Sequence, residues 1–295
     1  MTRFESALSA TRGDRSYQED AAVFWPGSAT FKLDIDLPDS PAGQVVAILA
    51  DGMGGHAGGA IASQTACRTF LAALAGLIDL PPHRQTIADR TVPLDVEPSS
   101  DTKTEPPPKD SAKAAEVLLA ALHAANVEIA EHAAANPALT GMGTTLVGVT
   151  FSGNQLEWVS VGDSPLYLYR AGEIALLNED HSLAPALDIL ASEGTITREA
   201  ARNDPRRHML RSAVTGEELD LIDMSRKPLV LRPADIIVLA SDGIHSLSES
   251  EIARIVSAYK DDGCEGIASA LVRSIENQRA PHQDNATIMV IRPVD

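Results

Sequence analysis

Residues 45–59, VVAILADGMGGHAGG, constrain this chain more than any other stretch. An apolar run from Val45 to Ala50 stops abruptly at Asp51-Gly52, and more glycines follow with His56 among them. The run is short and rich in β-branched residues, so it reads as a buried strand. Gly52, Gly54 and Gly55 then let the backbone turn sharply and approach another group closely. A carboxylate at the end of a buried strand, followed by bare backbone, suits a hard cation, because the side chain and a nearby carbonyl oxygen are both good ligands for it. Taken alone, the stretch is equally a glycine-rich turn in which Asp51 caps the helix that follows.

Other apolar runs begin or end on acids in the same way. Glu19-Asp20 precedes AAVFW, Gly162-Asp163-Ser164 follows LEWVSV, Ser241-Asp242-Gly243 closes IIVLA, and Asp284-Asn285 opens ATIMVI. The motifs RSYQED (15–20), DGMGGHAGG (51–59), GMGTTL (141–146), GDS (162–164), SDG (241–243) and DN (284–285) follow one another between residues 11 and 292. In this order and spacing the sequence resembles the metal-dependent, type-2C family of protein serine/threonine phosphatases, in its bacterial form. A single such motif is weak; six in order across nearly the whole chain are specific.

The chain has 295 residues, 44% hydrophobic and 22% charged, which suits a folded domain with a sizeable core. Its net charge of −17 disfavours nucleic acid and anionic membrane as partners, since phosphate backbones are bound by clustered Lys and Arg. The apolar runs fall short of the about 18 residues that a membrane helix needs, and no basic-then-apolar leader opens the sequence, so a cytoplasmic, monomeric protein is expected. Cys67 and Cys264 stand in no C-x-x-C or Cys/His array, which argues against zinc. Cys67 reads as a small buried residue of a helix.

Along the chain, residues 1–16 show little periodicity. Strands are expected at 20–25, 31–37, 44–50, 143–151, 155–161, 165–170, 173–178, 218–225, 234–240 and 285–292. Helices are expected from His56 to about Leu80, with Ile61, Thr65, Phe70, Leu71, Leu74 and Leu77 inward, and over 111–135, 182–211, 248–259 and 264–279. Ser248-x-x-Glu251 is a capping box. Residues 81–110, with Pro81, Pro82, Pro93, Pro98 and Pro106 to Pro108, form neither a regular helix nor a central strand and read as a flexible insertion inside a single domain of residues 1–295. Strands in meandering groups argue against a doubly wound parallel sheet and fit two packed antiparallel sheets with helices outside. The layer order comes from the resemblance, which implies an α+β fold: a four-layer α-β-β-α sandwich with a small helical flap at 183–212 and metals in a cleft at one end.

Phosphate monoesters hydrolyse extremely slowly unaided. Two adjacent divalent cations acidify a bridging water and neutralise the phosphoryl oxygens. Carboxylate, carbonyl and water ligands suit Mg²⁺ or Mn²⁺. The resemblance implies that Asp51 bridges two such cations with the Gly52 carbonyl beside it, and that Asp242 and Asp284 hold one of them. Glu19 and Asp20 match positions that hold metal-bound water or the metal itself. It implies that Arg15 grips the substrate phosphate, for which a guanidinium is suited; the plainer reading is a surface salt bridge. His56 is the candidate general acid for the departing serine or threonine oxygen. Where the family reads D-G-H this chain has Met53, and His56 lies further on, so it reads equally as a helix cap. Thr144 and Thr145 resemble the family's G-T-T. A third cation site would use Asp163 and Asp242, but its third position is Ser246, a neutral hydroxyl, so that site is expected to be weak. His245 and His282 match no ligand. Arg202, Arg206, Arg207 and Arg211 of the flap either attract an acidic phosphopeptide or balance Glu193, Glu199 and Asp204.

The implied activity is removal of phosphate from phosphoserine and phosphothreonine in proteins, opposite a serine/threonine kinase. The alternatives are a catalytically silent module that binds phosphoproteins, and a relative acting on phosphorylated anti-sigma-factor antagonists. The silent module could dispense with Asp51, Asp242 or Asp284, and this chain keeps all three.

Overall fold

The computed structural model describes residues 3–26, 30–32, 44–55, 57–78 and 109–294. The apolar run of the opening motif forms β4 (Gln44–Ala50), a strand buried on both faces. Successive side chains of a strand point to opposite sides. Val46, Ile48 and Ala50 accordingly pack against helices, while Ala47 and Leu49 pack toward the facing sheet. Both faces must therefore be apolar, which explains a continuous run instead of strict alternation.

Around it lie β1 (Arg3–Thr11), β2 (Ala21–Trp25), β3 (Thr30–Phe31), β5 (Gly52–Met53), β6 (Gly143–Thr144), β7 (Leu146–Ser152), β8 (Gln155–Val161), β9 (Leu166–Arg170) and β10 (Glu173–Leu176). They are followed by β11 (Asp223–Met224), β12 (Leu229–Val230), β13 (Ile236–Ala240) and β14 (Ala286–Val294). The helices are α1 (Ala57–Leu74), α2 (Lys109–Ala135), α3 (Ala184–Ser192), α4 (Arg198–Arg202), α5 (Glu249–Tyr259) and α6 (Gly263–Gln278). One sheet has the order β1-β14-β13-β9-β10; the other runs β11-β8-β7-β4-β2-β3, with β12 also paired to β8. Every pairing in them is antiparallel.

Three apolar clusters define the layers. One lies between α1, α2 and the β4 sheet, a second between α5, α6 and the β13 sheet, and a third between the two sheets. The α+β sandwich of two antiparallel sheets flanked by helices is thus borne out. Phe70 of α1 is fully buried and lies so close over Gly148 of β7 that a side chain there would collide with its ring. Burying an aromatic of this size stabilises by about 2–3 kcal/mol. Ser248 caps α5 with the full reciprocal capping box that the sequence predicts.

Several expectations need correction. The N-terminal residues form β1, which alternates after all: Phe4 and Leu8 face the inter-sheet core and Ala7 faces α6. Small Ala and Ser between them hide the period. The expected strand 143–151 breaks at Thr145, whose hydroxyl and amide are taken by Asp51. The helix expected over 182–211 is two short helices, Ala184–Ser192 and Arg198–Arg202, broken at 193–197, and the chain beyond Arg202 is held in turns. Leu77 lies past the end of α1 and is exposed. Strand 31–37 is seen only at Thr30–Phe31, and the rest of it, with most of the proline-rich insertion at 81–110, lies outside the described residues.

Pairing brings the acidic strand ends to one rim. Ala21 pairs with Ala50, so the start of β2 meets the end of β4. Ala240 pairs with Ile288, so the end of β13 meets the start of β14. Leu146 pairs with Val161, which sets the end of β8 beside β7; the chain then crosses to the other sheet through residues 162–165.

Candidate active site

The two sheets are stitched together at this rim by side chains. Ser241, at the end of β13, donates its hydroxyl to Asp20 Oδ2 at 2.8 Å and accepts the Thr287 N–H at 2.9 Å. Asn285 accepts the Glu19 N–H at 2.8 Å and donates to the carbonyls of Arg12 and Tyr17. Thr144 and Thr145 fix the end of β4. The Asp51 N–H donates to Thr145 Oγ1 at 3.0 Å, and the Asp51 carbonyl accepts from Thr144 Oγ1 and from Thr145 N–H. Thr145 Oγ1 also shares a 2.7 Å hydrogen bond with Ser164 Oγ, next to Asp163. Gly52 and Gly59 pass so close that a side chain on Gly52 would strike the Gly59 carbonyl, and one on Gly59 would strike the Glu19 carboxylate. These glycines permit a close backbone approach that no other residue allows.

The result is a cleft of about 590 Å³. Arg15, Glu19, Asp51, Gly52, Asp163, Asp242 and Asp284 line it, as do His208 and Arg211. Asp20 lies buried behind it at 1% exposure. His56 lies outside the described residues. Arg15 Nη2 is paired to Asp284 Oδ2 at 2.5 Å while remaining half-exposed in the cleft. Ser246 donates to the Gly243 carbonyl at 3.2 Å. His245 and His282 are exposed and do not line the cleft.

Burial and mutual repulsion push the carboxyls up. Burial raises Asp20 to about 7, with Asp242 adding to it. Burial and then Asp242 and Asp180 raise Asp163 to about 8. Burial and then Asp284 raise Asp242 to about 6. Asp51 is driven well above the usual carboxylate range by burial and by the charges of Asp20, Asp242, Asp163 and Asp284. Charged groups crowded in low dielectric resist ionising together.

Asp20 Oδ1 and Asp242 Oδ1 are buried with no hydrogen-bond donor, unless Asp51 itself carries a proton that they can accept. The space among these three acids therefore calls for positive charge, supplied by a proton or by a cation. An all-oxygen donor set of this kind fits Mg²⁺ or Mn²⁺. Among the described residues no three acidic, histidine or cysteine side chains are already closed around one point as a cage. The ligand candidates share a cleft without closing into such a cage, and Asp284 is engaged by Arg15 and by the Asn285 N–H.

Asp180, whose charge acts on Asp163, carries no signal in the sequence. Ser241, Ser164 and Asn285 stand in the motifs, but their contacts arise only through long-range pairing. His208 and Arg211 sit in the segment 183–212. Of the other flap arginines, Arg206 pairs with Asp204 and Arg207 with Asp188, each at 2.8 Å.

The sequence profile of Protein phosphatase 2C matches residues 34–281. The chain is 34% identical over 256 residues to the serine/threonine protein phosphatase PstP of Mycobacterium tuberculosis, covering 86% of this chain and 41% of that protein. It thus spans less than half the length of that relative. It is 30% identical over 219 residues to the serine/threonine phosphatase stp of Listeria monocytogenes, covering 74% of this chain and 73% of that one. Its structure is similar to that of the catalytic domain of PstP in complex with 2 manganese ions, with a TM-score of 0.67, 29% identity and 100% of both chains covered. Acidic strand ends gathered on one rim, the matched profile and these relatives together make this chain a member of the protein phosphatase 2C family.

Proposed function

We propose that the chain hydrolyses phosphoserine and phosphothreonine in proteins, with Mn²⁺ or Mg²⁺ as cofactor. The observation that carries this is the pair of buried, unpartnered carboxylate oxygens of Asp20 and Asp242, which with Asp51 beside them call for positive charge at an open cleft. Asp51, Asp242, Asp284, Asp20, Glu19 and the Gly52 carbonyl would hold two cations, and Asp163 would take part in a weaker third site. When bound, the cations acidify the attacking water and neutralise the phosphoryl oxygens. PstP, as crystallised with 2 manganese ions, supports the same cofactor here.

The chain's own groups supply the rest. Arg15, paired with Asp284 in the cleft, would bind the substrate phosphate by exchanging Asp284 for a dianion that accepts two of its N–H groups. The Thr145–Ser164 pair keeps Asp51 in register with Asp163. The retention of Asp51, Asp242 and Asp284 together favours an enzyme over a silent binding module. Proteins phosphorylated by a serine/threonine kinase, a cytoplasmic setting and a monomeric state belong to this reading; among the described residues no helix is long and apolar enough to cross a membrane.

The test is turnover by the EDTA-treated protein on an aryl phosphate and on a phosphothreonine peptide, with and without millimolar Mn²⁺. Turnover is expected only with metal. No turnover on either substrate at saturating Mn²⁺ would refute the reading.

A further inference from the structure

We propose that the cleft selects phosphoserine and phosphothreonine flanked by basic residues, through the carboxylates of Glu217 and Asp220; this selection rests on the phosphatase reading above. The cleft that Asp51, Asp242 and Asp284 share is lined in part by residues of the segment 208–220. That segment brings Arg211 to the cleft together with Glu217, Glu218 and Asp220. Glu217 and Asp220 are exposed, and among the described residues neither stands in an ion pair. Glu218 already has a contact within the chain. The cleft is a ligand site on independent grounds, because Asp242, which lines it, has a buried Oδ1 that calls for positive charge.

The two acids are held in register with the reacting end of the cleft. Thr144 donates its hydroxyl to the Asp51 carbonyl at 2.8 Å, and its backbone exchanges two hydrogen bonds with Val214, at 2.9 and 3.0 Å. One residue thus ties the segment to Asp51. Asn126 of α2 is 8% exposed and spends both ends of its amide on the segment: Oδ1 accepts the Gly216 N–H at 2.9 Å, and Nδ2 donates to the Glu217 carbonyl at 2.7 Å. Ser212 Oγ accepts the Leu221 N–H at 3.1 Å and donates to the Leu221 carbonyl at 2.9 Å, which closes the segment just beyond Asp220. Glu217 and Asp220 therefore project from braced backbone, and their charges stay at the cleft when a peptide enters.

The sign of the selection follows from where the charges lie. Of the four arginines at 202, 206, 207 and 211, Arg206 is paired with Asp204 and Arg207 with Asp188, and neither they nor Arg202 line the cleft. Arg211 alone of the four does. Arg206 and Arg207 thus balance acids of their own segment and are not free to attract an acidic peptide. In the working enzyme Asp51, Asp242 and Asp284 would face cations and Arg15 would face the phosphate. Glu217 and Asp220 then remain for the residues that flank it. A Lys or Arg there gains carboxylate partners, whereas an Asp or Glu meets like charge on a chain whose net charge is already −17.

The test is kcat/KM at saturating Mn²⁺ on three phosphothreonine peptides, with Lys, Ala or Glu on both sides of the phosphorylated residue, and on 4-nitrophenyl phosphate, which has no flanks. For the wild type the Lys peptide should exceed the Glu peptide by about tenfold or more, the order that attraction or repulsion at two exposed carboxylates supplies. Added NaCl should shrink that ratio. Glu217→Gln combined with Asp220→Asn should bring the ratio below about threefold, through KM and not kcat. Glu217→Lys combined with Asp220→Lys should reverse the preference. The proposal is overturned if the wild type is indifferent to the flanks or prefers Glu, or if the Glu217→Gln, Asp220→Asn variant keeps the wild-type ratio. It is also overturned if that variant loses as much on 4-nitrophenyl phosphate as on the Lys peptide, which is the mark of a structural role. Inactivity of the wild type on all four substrates is a separate result that refutes the phosphatase reading itself.

Discussion

At the scale of single residues, the site is a balance between charges that repel and the cations that would relieve them. Asp242 faces Asp284 and Asp20 and is pushed up by burial. Asp242→Asn removes a proposed ligand and one of the repelling charges. Turnover at saturating Mn²⁺ should fall by more than about 100-fold, beyond what loss of a supporting residue around a metal costs. Metal-free stability in a urea melt should hold or rise, because one buried charge is gone. Asp163→Ala should cost less activity, since the third site it would serve lacks a carboxylate at Ser246; near-normal turnover of Asp242→Asn would sink the two-cation reading. Thr145 tests the scaffold behind the ligands. Thr145→Val keeps the shape but leaves the Asp51 N–H without its partner. A buried donor stripped of its acceptor costs about 1–3 kcal/mol. We expect that loss in a urea melt together with weaker Mn²⁺ binding, and recovery of both with Thr145→Ser. An unchanged Mn²⁺ affinity would show that the hydroxyl only stabilises the fold.

At the scale of elements, local signals were read well where the chain itself satisfies them. The α5 cap is an example: Ser248 Oγ accepts the Glu251 N–H at 3.3 Å and the Glu251 carboxylate accepts the Ser248 N–H at 2.8 Å. Both partners are three residues apart, so the sequence alone specifies the bond. Ser248→Ala should cost about 1 kcal/mol of stability, measured by denaturant, with no effect on turnover. A drop in kcat would mean that α5 influences the cleft. The opposite case is β1. Its pattern is weak, and it becomes a strand because β14 offers it nine paired positions, from Arg3 with Val294 to Thr11 with Ala286. Likewise the helix expected through residue 211 gives way after Arg202, where hydrogen bonds to residues 181–183 outbid local propensity.

For the whole molecule, the raised carboxyls link stability to pH. An acid whose folded pKa exceeds its unfolded value binds more protons in the native state. Its penalty is absent below the unfolded pKa of about 4 and grows as pH rises to the folded value. Here the folded values reach about 6 for Asp242, about 7 for Asp20 and about 8 for Asp163. Metal-free protein should therefore melt at progressively lower temperature between pH 5 and pH 8. Mn²⁺ should raise Tm more at pH 8 than at pH 5, because it binds the ionised acids and protons compete with it. A flat Tm across this range, or an equal Mn²⁺ shift at both ends, would contradict the charge balance derived for the cleft.

The sequence by itself determined the acidic ends of Asp51, Asp163, Asp242 and Asp284, the short doubly buried strands such as β4, the α1 and α2 helices and the α5 cap. Each of these is a short-range pattern, so its physical cause lies within a few residues. The resemblance supplied the layer order. Only the tertiary structure decided that Ser241 from one sheet would hold Asp20 of the other, that Thr145 would break a strand to secure Asp51, and that His208 would line the same cleft. Those contacts join residues far apart in the chain. They depend on strand register and on a crossing between sheets, which no local periodicity encodes.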